Sequence, residues 1–128
     1  MFQPIKLTFP FPPTVNTYYR NVNGRTLMSK KGRMYRGVCI RCAVWQKYPE
    51  IAATERVAVI LNLYPPNKRK WDIDNRVKAV LDALQHAGVL PDDEQVDRLT
   101  VNRCAISDDD RVEITILPVQ SLQAKDTS

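Results

Sequence analysis

The chain has 128 residues, with 19 Lys and Arg against 14 Asp and Glu for a net charge of +5. That length suits one domain with its own core, and 44% apolar with 26% charged residues excludes a disordered or membrane-embedded chain. Three cysteines exclude a fully paired disulfide framework, no apolar run approaches the roughly 20 residues of a membrane span, and the positive balance points to an anionic partner, most simply nucleic acid.

Ile5-Lys6-Leu7-Thr8-Phe9 alternates apolar and polar residues and predicts a half-buried strand. Pro10, Pro12 and Pro13 end it, because proline gives no donor to a ladder. Asn21-Val22-Asn23-Gly24 is a turn signal with a short strand, 25–28, behind it. Ser29 suits the N-cap of a helix running to about Tyr48, stopped by Pro49. Met34, Val38, Cys42 and Trp45 share one face at helical spacing and are its expected buried stripe. Lys30, Lys31, Arg33, Arg36 and Arg41 charge the rest of that helix, with no acid before Glu50. Such a one-signed surface suits phosphates.

The run 57–64 is apolar on both faces until Asn62 and predicts a central strand. Lys68-Arg69-Lys70-Trp71-Asp72-Ile73-Asp74 follows it. A helix over 76–87 comes next, with Asp74 or Asn75 as cap, Val77, Val80, Leu81 and Leu84 as buried stripe, and Gly88 as left-handed stop. Pro91-Asp92-Asp93-Glu94 is an acidic loop. Strands over 96–106 and 111–117, joined by the turn Ser107-Asp108-Asp109-Asp110, read as an antiparallel hairpin. The expected fold class is α+β, a mixed or antiparallel sheet of about five strands with two helices packed on it. Residues 1–118 form the single domain and 119–128 a polar, frayed tail.

Three acidic clusters compete for chemistry. Asp108, Asp109 and Asp110 are explained by their turn. If the backbone is extended at Asp72 and Asp74, both carboxylates point to one side of the chain. Oxygen donors without histidines suit a hard cation such as Mg²⁺, with Mn²⁺ as the alternative. The single histidine, His86, lies near the far end of the second helix and suits its surface better than a general base. A zinc site at Cys39-x-x-Cys42 would need two more ligands, and only Cys104 and His86 remain. Lys78 stands in the first turn of its helix, where a cation opposes the macrodipole. It either pairs with Asp82 four residues on or neutralises a phosphate. Arg20, Lys30, Lys31, Arg33, Arg36, Lys68, Arg69, Lys70 and Arg76 are the candidate DNA contacts.

Three segments resemble the RusA family of Holliday junction resolvases. They are Pro12-Pro13-Thr14-Val15-Asn16-Thr17-Tyr18-Tyr19-Arg20, Asp72-Ile73-Asp74-Asn75 with Lys78 and Asp82-Ala83-Leu84, and Asp92-Asp93-Glu94-Gln95-Val96. The resemblance implies a homodimeric, Mg²⁺-dependent endonuclease that nicks two opposing strands of a four-way DNA junction. It implies Asp72, Asp74 and Asp93 as metal ligands and Lys78 as the catalytic lysine. It also implies a cytoplasmic, nucleoid-associated protein, often of phage or prophage origin. One residue departs from the family pattern: the position before the first aspartate is commonly basic or proline, and here it is Trp71. An indole there either stacks on an exposed base or packs on the dimer partner. Two other readings stand beside this one. A non-catalytic DNA-binding dimer would use the acids as caps and turn formers, and a metal-dependent ribonuclease would use the same ligands on RNA.

Overall fold

A computed structural model describes residues 2–121. Its elements are β1 (Ile5–Pro10), the single-turn α1 (Val15–Tyr18), β2 (Tyr19–Val22), β3 (Arg25–Met28), α2 (Lys30–Trp45), β4 (Val57–Tyr64), α3 (Val77–His86), β5 (Val96–Arg103) and β6 (Arg111–Pro118). Short 3-10 turns at Ile73–Arg76 and Asp93–Gln95 bracket α3. Four strands form a mixed sheet in the order β1-β6-β4-β5, and β2 and β3 pair separately as a hairpin. The α+β class is as expected, with four strands plus two in place of one sheet of about five.

The core lies on one face of the large sheet. Ile5, Leu7, Phe9, Val57, Val59, Leu61, Leu63, Val112, Ile114 and Ile116 are each no more than 3% exposed. Tyr35, Cys39 and Ala43 of α2 and Ala79, Val80, Ala83 and Leu84 of α3 belong to the same cluster. Each large side chain so buried contributes roughly 1.5–3 kcal/mol. β4 is interior, between β6 and β5, as its apolar run predicts. Gly88 stands at φ +79°, the left-handed stop after α3.

The predicted hairpin of 96–106 with 111–117 does not form. β6 inserts between β1 and β4, antiparallel to both, and β5 runs parallel to β4 on the far side. The burial patterns show why. β6 alternates strictly inward with Val112, Ile114 and Ile116, whereas β5 is exposed at 97–100 and 102–103. A strand with so little to bury is stable only at an edge. Adjacent strands in sequence pair often, but patterning alone does not say which neighbour each takes.

The buried face of α2 is also different from the expected stripe. Met34 is 61% and Trp45 85% exposed, while Gly32, Tyr35, Cys39 and Ala43 face inward. Contacts from α1 set this rotation. A Cβ on Gly32 would lie 2.3 Å from the Tyr18 carbonyl oxygen, so only glycine lets the two segments approach. Ser29 caps the helix through Gly32 N (2.9 Å), as predicted. The helix stops at Trp45, before Pro49, and Gln46 turns its amide onto the edge of β1. Thr8 N donates to Gln46 Oε1 (2.6 Å) and Gln46 Nε2 donates to Thr8 O (2.7 Å).

The expected fraying does not begin at residue 119. Val119 is buried and its N–H donates to Arg56 O (3.0 Å); the rest of that tail, 122–128, lies outside the described residues.

Gly32→Ala should destabilise the fold by about 1–3 kcal/mol in urea denaturation, the cost typical of overpacking. At an unconstrained helix site the same change stabilises by about 1 kcal/mol, so the sign reports the α1–α2 contact.

Candidate active site

β4 delivers the chain into a loop whose Lys68, Arg69 and Lys70 are all exposed. Trp71 then anchors it. Its ring meets Phe11 edge-on at 5.6 Å. The Arg103 guanidinium lies 3.9 Å from the indole centroid, and Arg103 Nη2 donates to the Trp71 carbonyl (2.9 Å). Arg76 stacks over Phe11 at 5.0 Å and donates from Nη1 to Pro12 O (2.6 Å). Its Nε is buried without a hydrogen-bond partner, and burial lowers its pKa. Arg76 is thus held partly inside this loop, and it lines a surface cleft with Arg69 and Lys70. A base stacking on Trp71 must use the face that Arg103 leaves open, or displace that cation.

Asp72 follows in extended conformation (φ −94°, ψ 131°), but Ile73–Arg76 is a 3-10 turn. The extended i, i+2 geometry expected for Asp72 and Asp74 therefore does not continue past Asp72. Both side chains are exposed. Neither Asp74 nor Asn75 caps α3, and no side-chain cap bond is made at either helix start. Lys78 is exposed one residue into α3.

Asp82 is taken by other partners than Lys78. Arg36 grips its carboxylate from Nε (3.1 Å) and Nη2 (2.9 Å). The Tyr18 hydroxyl donates to the same oxygen, and His86 Nε2 stands 3.6 Å from the other. Burial first, and the Asp82 carboxylate next, push the Tyr18 hydroxyl pKa up. This network ties α1, α2 and α3 together. It assigns Arg36, expected at DNA, to the scaffold.

The acidic loop at the other end of α3 is built around Gln95, which is 1% exposed. Its Oε1 accepts from Asp92 N (2.9 Å), and its Nε2 donates to Ala52 O and Glu55 O (2.9 Å each). Asp92 answers by capping the 3-10 turn, a reciprocal capping box. Asp93 N donates to Gln85 Oε1 (3.1 Å), leaving the half-buried Asp93 carboxylate outward. Gln95 belongs to the family-like loop motif, but its capping role, signalled by the Asp-x-x-Gln spacing, and the part played by Gln85 were not expected from the sequence.

Among the described residues, the carboxylates of Asp72, Asp74 and Asp93 and the ammonium of Lys78 make no side-chain hydrogen bond or ion pair. They are not all together. Asp93 precedes the end of the sheet where Val57 pairs with Val96, and Asp72 adjoins the end where Leu63 pairs with Arg103. Those ends are separated by six strand residues, roughly 20 Å at 3.3 Å each. No three His, Cys, Asp or Glu side chains gather into a metal-holding group among the described residues. The two loops are thus not gathered into one such group, and Cys39 and Cys42 gather no further ligand, among the described residues. Cys39 is buried, which raises its thiol pKa to about 12. Arg20, Lys30, Lys31 and Arg33 are exposed on the hairpin and the start of α2.

The family model described as "Endodeoxyribonuclease RusA" matches residues 10–117. "Crossover junction endodeoxyribonuclease RusA" of Escherichia coli (strain K12) is 36% identical over 110 residues, covering 86% of this chain and 91% of that protein. The protein of the same name from Enterobacteria phage 82 matches equally. That of Enterobacteria phage HK97 is 32% identical over 117 residues, 91% of this chain and 97% of its own.

Gln95→Leu removes three part-buried hydrogen bonds to backbone groups of Asp92, Ala52 and Glu55. It should cost about 2–3 kcal/mol in urea denaturation, given roughly 1–3 kcal/mol for each buried polar group left unpaired.

Proposed function

This chain belongs to the RusA family of endodeoxyribonucleases, and we propose that it resolves four-way DNA junctions by paired, metal-dependent nicks as a homodimer. One observation carries the reading. Of the acids that flank or lie on α3, Asp82, Asp92 and Glu94 are engaged by hydrogen bonds or ion pairs. Among the described residues, the side chains of Asp72, Asp74 and Asp93 are not. Carboxylates without a hydrogen bond or ion pair do little for the fold, and these three occupy the family's acidic positions.

Asp72 and Asp74 with several waters fit a Mg²⁺ or Mn²⁺ ion, since Mg²⁺ is commonly held by one or two carboxylates. When bound, the ion polarises a phosphoryl oxygen and supplies an activated water. Lys78 follows four residues after Asp74, and its unpaired ammonium neutralises charge developing on the phosphate. Lys68, Arg69 and Lys70, with Arg20, Lys30, Lys31 and Arg33, hold the DNA backbone and give salt-sensitive binding. Trp71, clamped by Phe11 and Arg103, fixes the direction from which Asp72 leaves the loop. Asp93 does not gather with Asp72 and Asp74 among the described residues of one chain, so in the dimer it serves the site of the partner subunit. A junction with two-fold symmetry receives two such sites together.

The non-catalytic alternative needs the acids as caps and turn formers; Asp92 does cap a 3-10 turn, but Asp72 and Asp74 make no such bond. The ribonuclease alternative differs only in substrate and is met by including RNA in the test.

With a four-way junction and Mg²⁺, paired symmetric nicks are expected, abolished by a chelator. Asp74→Asn should lower cleavage more than 100-fold while junction binding stays within about threefold; each decade of rate corresponds to about 1.4 kcal/mol of barrier. Cleavage of RNA in place of junction DNA, or equal cutting of linear duplex, would remove this reading.

A further inference from the structure

Within the segment Pro12 to Arg20, Tyr18 turns inward to Asp82. Asn16, Tyr19 and Arg20 instead line an open hollow of about 390 Å³, together with Val15 and with Asn21 and Thr26 of the hairpin. That volume falls among small-ligand sites, which run from roughly 300 to 1,000 Å³.

Local chemistry builds the hollow. Thr14 caps α1 by accepting from Thr17 N (3.2 Å). Ser29 N donates to Tyr18 O (2.9 Å), which ties the end of α1 to the start of α2. Asn23 and Gly24 stand at φ +51° and +75°, the left-handed pair of a two-residue hairpin turn. That turn fixes the register, so Asn21 lies opposite Thr26. Thr26 Oγ1 donates to Asn21 Oδ1 (3.0 Å), and the Asn21 Nδ2 donors are left over. Among the described residues, the Asn16 carboxamide, the Tyr19 hydroxyl and the Arg20 guanidinium make no hydrogen bond.

The lining selects the class of ligand. No carboxylate lines the hollow, and Arg20 is its one charged group among the described residues. A phosphate by itself calls for more cations than that. Two carboxamides beside an aromatic ring suit a nucleobase. Amides match the adjacent donors and acceptors of base edges, and a ring takes a base face. The location fits as well. α1 packs on α3 and on the turn Ile73–Arg76 that carries Asp74. Burial first, and the Asp82 carboxylate next, raise the pKa of the Tyr19 hydroxyl, and Asp93 adds to them. Tyr19 is therefore a hydrogen-bond donor standing in the field of the third acidic position.

We propose that this hollow takes one unstacked nucleobase of the strand being cut, from a nucleotide beside the scissile phosphate. The base lies on the Tyr19 ring, its edge meets Asn16 and Asn21, and Arg20 holds the adjoining phosphate. This rests on the nuclease reading and gives it a base-reading element. Unstacking costs least where pairing is already interrupted, as at the exchange point of a junction. Branch structure and local sequence are then read in one step.

Junctions carrying 2-aminopurine at each nucleotide flanking the cut test the occupancy, because that base brightens when it leaves the stack. With Asp74→Asn, which leaves the strand whole, fluorescence should rise several-fold at one position. Adding Asn16→Ala and Asn21→Ala should abolish the rise. Cleavage by the wild type should vary by about tenfold or more among junctions that differ only at that nucleotide, the range of a good base contact. The same two alanine changes should shrink that spread to within about threefold. Asn16→Ala alone, at an exposed residue without a hydrogen bond, carries both measurements should the Asn21 change loosen the hairpin. No rise at any flanking position, or a sequence spread that survives the alanine changes, overturns the base site. So does an equal loss of binding on every junction with the spread unchanged, which marks a phosphate contact only. Nicks without a rise keep the nuclease reading and remove the base site; a rise without nicks does the reverse.

Discussion

The parallel pairing of β4 with β5 is the constraint on which the rest depends. A parallel partner cannot be reached by a tight turn, so the chain must cross back over the sheet, and α3 is that crossing. The segment leading into α3 therefore sits at one end of the sheet, and the segment leaving it at the other. The basic loop, Trp71 and the first two aspartates belong to the exit of β4. The acidic loop belongs to the entry of β5. The motifs that look adjacent in sequence, separated by one short helix, are held apart by the length of that helix.

Asp82 does for the helices what the strand pairing does for the sheet. It sits on α3 and draws Arg36 from α2 and Tyr18 from the end of α1. A partly buried carboxylate is costly without partners, so these three elements hold one arrangement together. Gly32 sharpens it by admitting the Tyr18 carbonyl. The consequence for function is indirect but firm. With Asp82 occupied, Lys78 has no intramolecular partner on its own helix and stays available to an anion. Gln95 has a comparable role on the other loop, where it gathers Asp92, Ala52 and Glu55 and leaves the neighbouring Asp93 open.

Where sequence reading and structure part, tertiary context had overridden a local pattern. Met34, Val38, Cys42 and Trp45 have the spacing of a buried stripe, but so do Tyr35, Cys39, Cys42 and Ala43. A helix apolar on more than one side does not announce which side goes inward, and the approach of α1 at Gly32 decided it. The strands 96–106 and 111–117 carry the marks of a hairpin, yet the more apolar one was drawn into the sheet interior and the more polar one was left at its edge. Arg36 counts toward net charge like any other cation, and only its surroundings reveal that Asp82 had already claimed it.

The sequence by itself determined the α+β class, the Ser29 cap, the Gly88 stop, the interior β4 and the motifs that place the chain among the RusA endodeoxyribonucleases. These are local or additive properties: periodicity, capping chemistry, turn residues and the identity of a few side chains at fixed spacing. Tertiary structure alone decided strand order, the face that α2 buries, and the distance between the acids. Those depend on which surfaces meet, and a run of residues carries no record of its partner. The paired carboxylates at Asp72 and Asp74 were legible because they are neighbours in the chain; their separation from Asp93 was not, because a parallel strand connection set it.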